Sequence, residues 1–227
     1  VPVRLLKGWR GYLMTDGYDG YNAAVDKGGI EHLACMAYAR RKFVEAARVR
    51  AKGKRGRADD AIEQIAALYR IERELEDASD DARYAARRRH RGPRRAASRE
   101  WLGTALPAVP PQTALGRALA YLDKYWSRLV RYTERGHLPI DNSPCEGVIR
   151  PFMTGRKAWL FADTQAGAQT SALIYLLIET ARANGLEPYA WLRRVLRLLP
   201  TARTADEYEA LLPWNLHAMD LASDITP

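Results

Sequence analysis

Two acids stand where metal-assisted chemistry could be built. Asp16 closes the apolar run GYLMT, Gly11 to Thr15, and is followed at once by Gly17. Glu146 falls in the first turn of a segment read as a helix starting near Ser143 or Pro144, four residues before Arg150. Carboxylates at a strand end and a helix start, brought together in space, bind Mg²⁺ through their oxygens. Two such ions about 4 Å apart activate a hydroxyl and stabilise the leaving oxygen in phosphodiester chemistry. From the pattern alone the plainer reading is favoured, with Asp16 a turn aspartate and Glu146 a helix-dipole residue. Asp19 repeats the Asp-Gly pair and reads as part of the turn. Cys145 has no evident base beside it, so a thiol nucleophile is not indicated. The two cysteines and four histidines show no zinc spacing.

A second set of residues is basic. Arg87, Arg88, Arg89, Arg91, Arg94 and Arg95 form a dense run, and Arg150, Arg156 and Lys157 follow Glu146 closely. A solvated helix face explains the run as well as phosphate contacts do. The chain as a whole carries a net charge of +9, which favours an anionic partner, nucleic acid first. Two cysteines give no disulfide framework, so a reducing compartment is expected. No apolar run reaches the length of a membrane span. The run ALIYLLI, Ala172 to Ile178, is too short and is expected to be a buried helix.

The elements that must position these residues change character along the chain. With 47% hydrophobic residues among 227, a sizeable core is available. GYLMT reads as a strand ending in a tight turn. YNAAVDKG suits a short helix stopped by Gly28-Gly29, and EHLACMAYA, Glu31 to Ala39, reads as a second buried strand. ARRKFVEAARVRA continues as a helix, which gives the alternation of an α/β layer. Strand signals then largely stop. A loop spans Ala51 to Arg57, and a helix follows with Ile62, Ile65, Leu68, Tyr69 and Leu75 at helical spacing. A proline-rich break occupies Leu106 to Gln112. Thr113 to Gly136 reads as one long amphipathic helix, and helices are expected over 168–184, 188–199 and 205–212. Asn184-Gly185 is a stop signal.

Five stretches occur in order: TDGYDGYNAAV, ACMAYARRKFVEA, AIEQIAALYRIERELED, the long segment ALAYLDKYW…IDNSPCEGVIRPFMTGRKAWLF, and LIETARANGLEPYAWLRRVLRLLP…LLPWN. Together they closely resemble the C-terminal part of transposases of the insertion-sequence-66 family, from about Gly11 to Asn215. The resemblance implies an RNase H-like catalytic domain in which a DDE triad of acids holds two divalent metals, Mg²⁺ or Mn²⁺. Such enzymes cut DNA at the element's ends and join the freed 3′-hydroxyls to target DNA. Asp16 matches the triad's second acid, and Glu146 matches the third, after Asp141 and Asn142. The resemblance further implies DNA as partner, accessory proteins of the same element, homo-oligomers on DNA, and a bacterial, cytoplasmic, nucleoid-associated setting.

The resulting expectation is an α+β, mostly α chain with a partial RNase H-like core. Residues 1–50 would supply part of that core and 51–136 a helical insertion carrying the basic run. Residues 137–180 would return to the core with the third acid, and 181–227 would form a helical C-terminal segment. Three departures bear on activity. Val1 to Arg10 contains no acid, so the triad's first member is missing and the N-terminus is expected to be truncated. A two-acid site holds metal poorly, and the chain alone is expected to be inactive. Met36 and Tyr38 stand where the family usually has Trp and His. Ser143 and Gly147 stand where it usually has Asn and a polar residue. The rival expectation is therefore an inert, basic DNA-binding remnant, with an unrelated helical interaction protein a weaker third. With two strands where such a sheet has about five, an unpaired edge is expected to promote self-association.

Overall fold

The computed structural model describes residues 2–49, 55–159 and 162–224. Strands β1 (Gly11–Thr15) and β2 (Ile30–Ala34) pair in parallel, with Gly11 opposite Ile30 and Thr15 opposite Ala34. A parallel pair requires a crossover. Here it consists of a 3-10 turn over Asp19–Tyr21 and helix α2 (Asn22–Val25); helix α1 (Pro2–Leu5) precedes β1. Gly28 and Gly29 adopt φ of 82° and 85° to turn the chain into β2. The expected strand–helix–strand–helix order is thus present, and the chain is α+β with helix dominant.

The second strand is shorter than its apolar run suggested. After Ala34 the Cys35 N–H still reaches the Thr15 carbonyl at 3.0 Å, and helix α3 (Met36–Arg48) begins at the next residue. Met36, Ala39, Phe43 and Ala46 are buried at helical spacing. The apolar run therefore spans two elements, because its last residues serve a helix face rather than a strand. Helices α4 (Arg57–Glu74), α5 (Asp80–Ala105), α6 (Ala114–Lys124) and α7 (Trp126–Val130) follow. The single helix expected over 113–136 is broken at Tyr125, whose backbone (φ −102°, ψ 10°) separates α6 from α7, and a 3-10 turn covers Arg131–Glu134. Tyr125 is buried there with its hydroxyl engaged to the β1 turn.

Helix α6 starts cleanly. The Thr113 hydroxyl accepts from the Gly116 N–H at 2.9 Å, as a capping threonine does. Gly116 has a steric duty as well, since a Cβ there would lie 2.1 Å from the Pro110 carbonyl oxygen. One hydrophobic cluster runs from Leu33 and Ala34 of β2 through Phe43, Ile65, Leu102, Leu119 and Leu129. It draws on β2 and every helix from α3 to α7, so the strand pair and these helices share one core.

The chain divides into two compact units, Val1–Pro144 and Cys145–Pro227. The second is helical: α8 (Ser143–Trp159, beginning in the last residues of the first unit), α9 (Gln165–Ala183), α10 (Pro188–Leu198) and α11 (Ala205–Glu209). Gly185, at φ 73°, ends α9 where the Asn-Gly stop was read. Glu187 caps α10 by accepting from the Ala190 N–H at 2.7 Å. The core of this unit is small: Ala181, Leu186, Ala190, Trp191 and Leu221. The run Ala172 to Ile178 is not the buried helix expected. It lies in α9 with Leu173, Ile174 and Leu176 exposed by 55%, 47% and 60%, because this unit packs α9 mainly through its C-terminal end. Among the described residues no helix is long and apolar enough to cross a membrane.

Candidate active site

The carboxyl ends of parallel strands are where α/β folds gather ligands, and β1 ends at Asp16. Thr15 is buried, and its hydroxyl accepts from the Gly17 N–H at 3.2 Å. That same hydroxyl shares a 2.7 Å hydrogen bond with His32 Nε2 on the neighbouring strand. Gly17 takes φ 94°, a left-handed conformation. Asp16 Oδ1 accepts from the Tyr18 N–H at 3.1 Å, an Asx turn. From α6, the Tyr121 hydroxyl donates to the Asp16 carbonyl at 2.8 Å. The Tyr125 hydroxyl donates to the Gly17 carbonyl at 3.1 Å. The backbone under Asp16 is thus fixed from three sides, and the half-exposed carboxylate forms no ion pair among the described residues.

Electrostatics keep the supporting groups in one protonation state. Burial, with Tyr125 next in weight, pushes the Tyr121 hydroxyl above its ordinary range, so it stays a neutral donor. Burial lowers His32 to about 4, with Arg128 and Arg131 adding to the effect. His32 is therefore neutral at pH 7. Neither histidine-based support nor the tyrosine pair was read from the sequence. The spacing of Tyr121 and Tyr125, one helical turn apart, was the available signal.

Near the end of β2 lies another acid, from the loop that precedes α8. Asp141 is buried, accepts from the Tyr69 hydroxyl, and takes the Ser143 N–H on Oδ1 at 2.9 Å. It is tied to the strand end through the Met36 N–H, which donates to the Ile140 carbonyl at 3.2 Å. Tyr69 is pushed up by burial first and by Asp141 second. Cys35 is also buried here, and burial raises its thiol. It is inert by that criterion. Of the four positions that depart from the resembled pattern, two lie here: Met36 is a core residue and Tyr38 is half-buried, its ring 5.5 Å from that of Tyr121.

Glu146 lies in the other unit. It is exposed in the first turn of α8, as is Arg150 one turn on. Arg156 and Lys157 belong to α8, but their side chains lie outside the described residues. The side chain of Trp159 and the whole of Phe161, which read from the sequence as core aromatics rather than base-stacking groups, also lie outside the described residues. Asp19 sits in the turn after Asp16, exposed, and accepts from Asn22 Nδ2 at 3.2 Å. Among the described residues no group of three or more His, Cys, Asp or Glu is placed to hold a metal ion.

The basic run divides by environment. Arg88, Arg89, Arg94 and Arg95 are exposed on α5; the side chain of Arg91 lies outside the described residues. Arg87, expected to contact phosphates, is a correction. It is 4% exposed and ion-paired with Glu72 at 2.5 Å. Its guanidinium also donates to the carbonyls of Tyr132, Arg135, Gly136 and Leu138 at 2.6–3.1 Å. The helix turn that carries it faces the core, so its charge is consumed internally.

Comparison with known proteins bears on the family alone. A family described as Transposase IS66 family matches residues 1–170, and one described as IS66 C-terminal element matches residues 177–214. Three proteins of Sinorhizobium fredii are similar, each named an uncharacterized protein. With y4jD the identity is 30% over 95% of this chain and 43% of the relative. With y4hP it is 30% over 94% and 41%. With y4qI it is 31% over 94% and 40%. The chain thus spans less than half the length of the curated relatives it matches. No solved structure matches it.

Proposed function

The chain belongs to the IS66 transposase family, and on that premise we propose that it carries part of a DNA-cleaving and strand-transferring centre. Asp16 and Glu146 are two of its metal-binding carboxylates. The observation that carries this reading is the setting of Asp16. It stands at the carboxyl end of a parallel strand, on a turn whose carbonyls are held by Tyr121 and Tyr125, with its carboxylate half-exposed.

The donor set suits Mg²⁺ or Mn²⁺. Both ions take oxygen ligands, and Mg²⁺ is characteristically held by one or two carboxylates, waters and substrate phosphates rather than by an all-protein cage. Asp16 would hold the ion through its carboxylate oxygens, with Glu146 as the partner acid that the family resemblance assigns. The bound ion would activate the attacking hydroxyl and steady charge on the phosphate oxygens. Thr15, Tyr121 and Tyr125 keep the Asp16 turn from relaxing as the ligand binds. In this reading the parallel pair β1–β2 and α3 are part of an RNase H-like core. DNA is the partner, engaged in part by Arg88, Arg89, Arg91, Arg94, Arg95, Arg150, Arg156 and Lys157. Assembly as a homo-oligomer on DNA, with accessory proteins of the same element, is part of the same proposal.

Nicking of supercoiled DNA with Mg²⁺ or Mn²⁺ tests the reading. Loss of nicking in both Asp16→Ala and Glu146→Ala supports it, and nicking that survives both changes overturns it. DNA binding with a steep salt slope and no nicking would select an inert DNA-binding protein instead.

A further inference from the structure

Three cations lie over the rings of Tyr121 and Tyr125, whose hydroxyls hold the Asp16 turn, and none was singled out by the sequence; a fourth, Arg41, lies over Tyr38, 5.6 Å from its ring centre. Lys42 of α3 places Nζ 4.8 Å from the ring centre of Tyr38 and 5.0 Å from that of Tyr121. Arg128 of α7 lies 5.6 Å from the ring centre of Tyr125, and Lys124 of α6 lies 5.0 Å from the same ring. The rings themselves form a row, Tyr38 to Tyr121 at 5.5 Å and Tyr121 to Tyr125 at 4.7 Å. The hydroxyls of Tyr121 and Tyr125 are the groups that hold Asp16 and Gly17. The tyrosine row therefore has the turn at its hydroxyl ends and cations over its faces.

These charges are not consumed by the fold. Among the described residues Lys42 and Arg128 form no ion pair, and the one carboxylate that Lys124 meets is that of the exposed Asp19, at 4.0 Å; its other partner is Tyr125. Arg87 of α5, by contrast, is buried against a carboxylate and four carbonyls. Lys124 is open to solvent, while Lys42 and Arg128 are half-exposed. Cation–π contacts keep such side chains extended over rings while their charge remains available.

We infer that Lys42, Lys124 and Arg128 form a phosphate-binding rim that seats the DNA backbone against the Asp16 turn. The inference rests on the reading of Asp16 as part of a DNA-cleaving centre and specifies how the strand reaches it. Charge complementarity selects the partner. Cations spread across an aromatic row, beside a carboxylate, match successive backbone phosphates better than a single small anion. Phosphate contacts of this kind position the duplex without reading sequence.

The test is duplex binding by fluorescence anisotropy across salt concentrations, using the whole chain. The rim triple Lys42→Gln, Lys124→Gln, Arg128→Gln is compared with Lys7→Gln, Arg10→Gln, Lys27→Gln, which removes the same charge near the opposite ends of the strands. Each lost phosphate contact lowers the slope of log K against log salt by about 0.9. The rim triple should therefore flatten the slope by roughly 2–3 and weaken binding at least about tenfold at 0.15 M salt. The distal triple should change the slope by less than about 1. If the rim triple loses its folded circular dichroism, Lys42→Gln alone should still flatten the slope by about 1. Equal losses in the two triples, or none in the rim, would overturn the inference while leaving the Asp16 reading intact. A flattened slope with unchanged Mn²⁺ affinity in Asp16→Asn would overturn the Asp16 reading and keep the rim. A wild-type chain that binds no duplex overturns both.

Discussion

Replacing Arg87 by Ala should be among the most damaging single changes in the first unit. The side chain is 3% exposed, its partner Glu72 is 14% exposed, and the pair is bidentate. Removal leaves Glu72 without its counter-charge and deprives the carbonyls of Tyr132, Arg135, Gly136 and Leu138 of a shared donor. Breaking a buried pair from one side costs about 3–5 kcal/mol. For a chain of this size that corresponds to a melting temperature lower by roughly 10 °C. Arg88→Ala, one residue on and exposed, should shift it by less than about 2 °C. The assay is thermal melting followed by far-ultraviolet circular dichroism. A companion Glu72→Ala, Arg87→Ala variant should be less damaged than the single losses add up to, by about 1–3 kcal/mol. A loss at Arg87 no larger than at Arg88 would refute the reasoning and return Arg87 to the solvated surface.

Other consequences are open to test. Gly17→Ala should destabilise by about 1–3 kcal/mol, because φ is 94° and a Cβ would meet the Tyr125 ring at 3.1 Å; urea unfolding measures it. His32 has a folded value of about 4 against an ordinary 6.5, so the unfolded chain binds the extra proton between them. Its contribution is fully present above pH 6.5 and is lost as pH falls to 4; His32→Gln should flatten the stability profile in that window and leave other regions unchanged. Tyr121→Phe should cost about 0.5–1.5 kcal/mol by removing the donor to the Asp16 carbonyl, read from the same urea curves. Leu173→Glu with Leu176→Glu should reduce light scattering of concentrated protein without changing helix content, since both side chains are more than half exposed.

The sequence carried the start of the fold well because its punctuation is local. Asp16-Gly17 and Gly28-Gly29 demand particular backbone angles, and they bracket β1 and the crossover. Asn184-Gly185 did the same for α9. The apolar run from Glu31 to Ala39 misled because burial does not distinguish the last residues of a strand from the first turn of a helix. The break at Tyr125 was hidden for a related reason: amphipathic spacing continues across it while the hydroxyl anchors Gly17. Arg87 could not be told from its neighbours, since what distinguishes it is contact with Glu72, fifteen residues away, and with the carbonyls of Tyr132, Arg135, Gly136 and Leu138, farther still. Exposure of Leu173, Ile174 and Leu176 was likewise illegible, because hydropathy records what a side chain favours and not what a neighbouring helix supplies. Asp16 was legible as a site candidate from its strand-end position and from family resemblance. Its support by His32, Thr15, Tyr121 and Tyr125 depends on contacts across as many as 108 positions.

The most direct measurement is Mn²⁺ binding in the presence of duplex DNA, followed by electron paramagnetic resonance, for the wild type and Asp16→Asn. The substitution keeps shape and removes the carboxylate charge that a hard cation requires. A metal site at Asp16 predicts Mn²⁺ binding at least about tenfold weaker in Asp16→Asn, with DNA affinity at high metal unchanged. Equal Mn²⁺ affinity in the two proteins, both folded and both bound to DNA, would contradict the placement of the metal centre at the end of β1.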